Sequence, residues 1–120
     1  MMSKVHIKAV LKGEDNHIFN GSGIKTKNQI TYNDNGIMTK ITFGEKLFIE
    51  RKSDYILKLG FIDNEYTKGT YITKEGKFIL NIKTNHLNIT KDSINIKYEF
   101  IIDKNTISYF EFNLHYTIDK

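Results

Sequence analysis

The chain contains no cysteine, no proline and no tryptophan. Without thiols, disulfides, thiolate metal sites and cysteine nucleophiles are excluded, and the absence fits a reducing compartment. Proline lacks the backbone N–H that a strand ladder needs, so a chain threaded almost wholly through one sheet is well served without it. Arginine is nearly absent as well: Arg51 stands alone among the lysines, and alanine and valine are scarce. No apolar run approaches the roughly 18 residues of a membrane span. The opening stretch, Met1-Met2-Ser3-Lys4-Val5-His6-Ile7-Lys8, carries no apolar leader segment. We therefore expect a cytoplasmic protein without a membrane partner. No window carries a 3.6-residue period, which excludes amphipathic helices as the organising element.

What is present is alternation. In 94–102, Ile94, Ile96, Tyr98, Phe100 and Ile102 share one face, opposite Asn95, Lys97 and Glu99. In 106–118, Phe110, Phe112, Leu114, Tyr116 and Ile118 share a face, opposite Glu111, Asn113, His115 and Thr117. A period of two over so many residues marks strands wet on one side and buried on the other. Asp103-Lys104-Asn105 reads as the hairpin loop between them. Strands in small open sheets commonly run about 5–6 residues, so this pair suits a closed barrel, which leaves no edge exposed.

The rest of the chain repeats the pattern. Val5, Ile7, Ala9 and Leu11 give a first strand, turned by 13–16. An extended stretch over 18–26 follows, and Asn20-Gly21-Ser22-Gly23 inside it reads as a bulge or bend. A phosphate cradle at these glycines would need a following helix, and none follows. A short strand over 29–33 ends at Asp34-Asn35-Gly36, whose residues suit the left-handed geometry of a tight hairpin. Ile37, Thr39, Ile41 and Phe43 then face inward, followed by Leu47, Ile49 and Arg51, and by Tyr55, Leu57, Leu59 and Phe61. The stretch 62–69 breaks alternation and reads as the longest irregular segment, before a brief strand over 70–73. Phe78, Leu80, Ile82 and Thr84 complete the inward set, and 85–90 fits either a rim loop or a short strand. About eight to ten antiparallel strands in sequence order predict one domain: an all-β, up-and-down β-barrel over 1–120.

The order of Gly21 and Gly23, Tyr32 before a turn, Ile41, Arg51 closing a strand, Tyr71, Phe78, Thr84 and Ile94-x-Ile96-x-Tyr98 resembles the YwiB-like family. These are uncharacterised β-barrel proteins of low-GC Gram-positive bacteria. The resemblance spans roughly residues 4 to 118. It implies a lipocalin-like (calycin) barrel and no established biochemical activity.

Chemistry is harder to find. His6, His17, His86 and His115 are dispersed, and alternation sends His6 and His115 outward, so no metal site is expected. Ser22 sits in no nucleophile elbow, and the loop acids Asp63 and Glu65 lack calcium-loop spacing. No cofactor and no catalytic residue is expected. The net charge of +4 and the pI near 9.2 invite a nucleic-acid reading, but acids are interspersed with the lysines and no basic block forms. Arg51 is the residue of interest. Its phase points it inward with Leu47 and Ile49, where a charge requires a carboxylate, carbonyls, water or a bound anion. Tyr55, Tyr98 and Tyr116, with Thr39, Thr84 and Ser108, are the other polar groups expected inside. The reading is a non-catalytic barrel that holds a small apolar, amphipathic or anionic ligand with Arg51 and these tyrosines and threonines as anchors. The alternative is an interaction module with a solid core, forming a homodimer or meeting a protein or RNA partner through Phe48, Tyr109, Tyr32 and Ile101, which fall out of phase with the core.

Overall fold

Ten strands follow one another: β1 (Ser3–Lys12), β2 (His17–Lys25), β3 (Gln29–Asp34), β4 (Ile37–Thr42), β5 (Leu47–Lys52), β6 (Ile56–Phe61), β7 (Tyr66–Thr73), β8 (Gly76–Ile89), β9 (Ser93–Ile102) and β10 (Asn105–Ile118). In this computed structural model, which describes residues 2–102 and 104–119, each strand pairs antiparallel with its neighbours in the chain. β1 then pairs with β10, from Val5 opposite Ile118 to Lys12 opposite Glu111, and the ring closes. No helix occurs among the described residues. The molecule is the all-β, up-and-down barrel that the alternation predicts. Asp103 of the expected hairpin loop lies outside the described residues; Asn105 already belongs to β10.

Strict antiparallel order puts the loops after odd-numbered strands at one end, here the upper, and those after even-numbered strands at the other. This polarity organises the interior. Val5, Ile7, Ile30, Ile41, Leu47, Phe61, Ile94, Ile96 and Leu114 are each at most 2% exposed. All belong to the lower half of their strands, where they pack against one another. Burying each such side chain contributes about 1.5–3 kcal/mol relative to leaving it in water. The molecule measures 48 × 32 × 27 Å along its principal axes. A strand of 14 residues, the length of β8 and of β10, spans about 46 Å at 3.3 Å per residue.

Several local expectations are revised. β7 begins at Tyr66, so the irregular segment shrinks to the 62–65 turn. β8 continues to Ile89 through a register shift between Thr84 and His86. Phe78, Ile102 and Ile118 keep their phase but stand 49%, 55% and 58% exposed, because their strands run beyond the covered interior. β2 holds an unbroken register against β1 from Lys25 to His17, so its glycines make no bulge. Gly23 instead permits close approach: a Cβ there would meet Ile7 and lie 2.6 Å from the Thr31 carbonyl oxygen. Tyr32, expected outward, is only 5% exposed, because β3 places Ile30, Tyr32 and Asp34 on its buried face.

Candidate functional site

Register brings one row of inward residues around the barrel wall, starting near the lower end of β2. Gly23 is opposite Tyr32, Tyr32 opposite Thr39, Thr39 opposite Arg51, Arg51 opposite Leu57, Leu57 opposite Tyr71, and Tyr71 opposite Phe78. Alternation sets the face and the short hairpins set the register, so positions far apart in sequence meet as neighbours.

Above the packed core this row borders a cavity of about 230 Å³. Leu11, Ile37, Ile49, Leu57, Leu59 and Phe112 form its apolar wall, and Arg51, Tyr32, Thr39, Tyr55, Tyr98 and His17 supply polar groups. Of the residues expected at a ligand site, Arg51, Tyr55, Tyr98 and Thr39 are therefore brought together. Thr84 and Tyr116 are not among the lining. Thr84 is wholly buried in the core, and its hydroxyl has no protein partner. Tyr116 lies near the lower end, where its hydroxyl donates to the Lys91 carbonyl.

Arg51 has a carboxylate partner that the sequence places in a turn. Asp34 is 1% exposed and accepts a hydrogen bond from Arg51 Nη2 at 3.0 Å on Oδ2. The same oxygen lies 2.7 Å from His17 Nε2. A carboxylate can only accept, so Nε2 is the proton-bearing nitrogen. Asn35 and Gly36, at φ 52° and 93°, form the hairpin turn by themselves, which leaves Asp34 as the last residue of β3 and aims it inward. Reading the turn as two residues would have put Asp34 in phase with Ile30 and Tyr32. His17 carries no such signal; only the fold gathers it. Asp34 Oδ1 and Arg51 Nε are buried without a protein partner, so the pair is held by one hydrogen bond of the two that a fork–fork geometry would give.

The tyrosines share this environment. Burial pushes the Tyr32 hydroxyl up to about 12, with the Asp34 charge adding to the rise and the Arg51 charge and Thr39 hydroxyl opposing it. Burial likewise raises Tyr98, opposed by Arg51. Both remain neutral hydrogen-bonding groups across the physiological range. Tyr98 also anchors an aromatic cluster, 4.8 Å from Phe61, 5.8 Å from Phe100 and 5.2 Å from Phe110 between ring centroids. No group of three or more metal-ligating side chains occurs among the described residues. No helix there is long and apolar enough to cross a membrane. Phe48 and Tyr109 are exposed as expected, but they stand on β5 and β10, five strands apart around a ring of ten.

Comparison with known proteins agrees with this architecture. The crystal structure of the YwiB protein from Bacillus subtilis superposes with a TM-score of 0.70 at 15% identity, covering 99% of this chain and 92% of that one. At that identity the likeness concerns the fold. No curated protein matches the sequence significantly. Residues 6–114 match the family model described as "Domain of unknown function (DUF1934)", and the chain belongs to that family.

Proposed function

We propose that this protein is a non-catalytic, cytoplasmic binding barrel that holds one small amphipathic molecule in the upper cavity. The observation that carries the reading is the contrast between a tightly filled lower half and about 230 Å³ of space above it, lined by an apolar wall and a few convergent polar groups. The volume limits the ligand's size. A dry apolar cavity of about 150 Å³ accepts benzene, so this one suits a single substituted ring and is too small for a long acyl chain. Charge narrows the chemistry further. Asp34 already neutralises Arg51, so an anionic ligand would compete with a buried carboxylate for the same guanidinium. A neutral molecule with a hydroxyl or amide end meets Tyr32, Tyr55, Tyr98 and Thr39 without that competition.

The interaction-module alternative has less support, because Phe48 and Tyr109 form no shared patch. Native mass spectrometry of protein purified from cells, with titration of 4-fluorophenol followed by fluorine NMR, tests the proposal. A retained species of ring-like mass, or saturable binding of the probe that shifts the Tyr32 and Tyr98 ring resonances, is the expected result. A clean ligand-free mass together with no probe binding at millimolar concentration would overturn it.

A further inference from the structure

Two neighbouring pairs of strands in the barrel wall share a ladder of only three residue pairs: β6 and β7, which part toward the lower end below Lys58–Thr70, and β2 and β3, which part toward the upper end where the cavity lies. β2 runs for nine residues, yet it pairs with β3 only at Gly23–Tyr32, Ile24–Thr31 and Lys25–Ile30. Above Gly23, β2 remains bonded to β1 through Leu11–His17. Above Tyr32, β3 remains bonded to β4 through Asp34–Ile37. Between the two strands no ladder continues, so a notch widens from Gly23 to the upper rim.

Side chains alone span it. The Phe19 ring lies across Gly21, so close that a Cβ on Gly21 would sit 2.9 Å from the ring tip, and it stacks on Tyr32 at 4.6 Å. One step higher, His17 meets Asp34 at 2.7 Å. An external depression of about 290 Å³, lined by Ser22, Gly23, Asn33, Tyr32 and Met38 among others, lies at the base of this notch. Tyr32 lines both that depression and the internal cavity. At this place a side chain, rather than a strand, stands between the two spaces.

We propose that the β3–β4 tip is a flap hinged at the Gly23–Tyr32 pair, and that the cavity exchanges its occupant through the β2–β3 notch when Phe19 swings off Tyr32. Opening there breaks an aromatic contact and the half-exposed His17–Asp34 bond but no ladder between β2 and β3; the tip keeps its Met38–Lys52 and Thr39–Arg51 pairs and its Asp34–Arg51 bond, so the upper end of β5 moves with it. Around the cavity, parting β1 from β2 or β3 from β4 would instead break a row of backbone hydrogen bonds, each worth about 0.5–1.5 kcal/mol. The inference rests on the cavity being a binding site only for its purpose; the movement itself is tested without a ligand.

Ser22 and Asn33 are the residues next above the last pair and line the same external depression, and the chain has no cysteine of its own, so the S22C/N33C disulfide is the staple that would hold the notch closed. Arg51 is the one arginine, which makes its Nε–H resonance unambiguous. In the oxidised double variant, solvent exchange of that proton and the bound–free exchange of 4-fluorophenol should each slow at least tenfold, and dithiothreitol should restore both. Phe19→Ala should act oppositely, raising both rates at least tenfold. Failure of the probe to bind at all would remove the binding reading, and the Arg51 proton would still decide the flap. Unchanged Arg51 exchange in both the stapled and the Phe19→Ala proteins would overturn it.

Discussion

At the scale of single residues, the Arg51–Asp34 pair dominates what the upper barrel can tolerate. Asp34 is almost wholly buried and Arg51 is 19% exposed, so the two respond differently to the loss of a partner. Arg51→Met leaves a carboxylate in the interior held only by His17, and should cost about 3–5 kcal/mol in urea unfolding. Asp34→Asn leaves a guanidinium that can reach water at the rim and should cost about 2–3 kcal/mol. The double variant should be more stable than the sum of the two losses implies, because it leaves no unpaired charge. Additive losses would show the pair to be uncoupled. Tyr32 gives a second test at this scale. Its ordinary value is 10 and its folded value about 12, so the folded state holds the proton more tightly than the unfolded chain. That stability is fully present below pH 10 and is lost as pH rises through 12. The loss amounts to roughly 3 kcal/mol. Tyr32→Phe should flatten the fall in unfolding free energy between pH 9 and 11.5, leaving the part due to Tyr98, which burial also raises.

At the scale of elements, two glycines two residues apart on β2 separate structural closeness from movement. Gly23→Ala would drive its methyl into the Thr31 backbone oxygen and Ile7; backbone cannot step aside, and a loss of about 2–3 kcal/mol is expected by thermal unfolding. Gly21→Ala meets only the end of the Phe19 ring, which can rotate, so stability should change by less than about 1 kcal/mol. A larger loss at Gly21 than at Gly23 would contradict the register described here. Legibility from sequence follows the same division. Period-2 alternation fixed which faces of β1, β4, β5, β9 and β10 are buried, because those strands are wet on one side and long enough to reveal their phase. It misassigned Tyr32 because a turn read one residue too early concealed the phase of β3. It could not place Thr84 and Tyr116, since facing inward does not say at what height along the barrel a residue sits. Height depends on register, and register between strands emerges only when the ring closes. The Asp34 partner of Arg51, two strands away, was hidden for both reasons.

At the scale of the whole molecule, the claim to test is that one continuous ring of strands encloses two unlike interiors. Ten strands make a wider barrel than the eight whose side chains just fill the interior, so some surplus volume must appear somewhere along the axis. The lower half absorbs it with Phe61 and large aliphatics that are 0–2% exposed; the space left open borders Ile49, Leu59, Leu57 and Arg51. Adding bulk should therefore have opposite consequences at a packed position and at one that borders the cavity. Ile41→Phe, in the filled half, has nowhere to put its ring and should cost about 2–3 kcal/mol. Ile49→Phe, directly opposite Ile41 on the neighbouring strand but bordering the cavity, can direct its ring into that space and should leave stability within about 1 kcal/mol of the parent while abolishing 4-fluorophenol binding. Equal, large losses at both positions, measured by urea unfolding, would mean that the upper half is as solid as the lower. In that event the tyrosines and Arg51 would be packing and pairing groups of a filled barrel, and the search for its partners would move to the outer face.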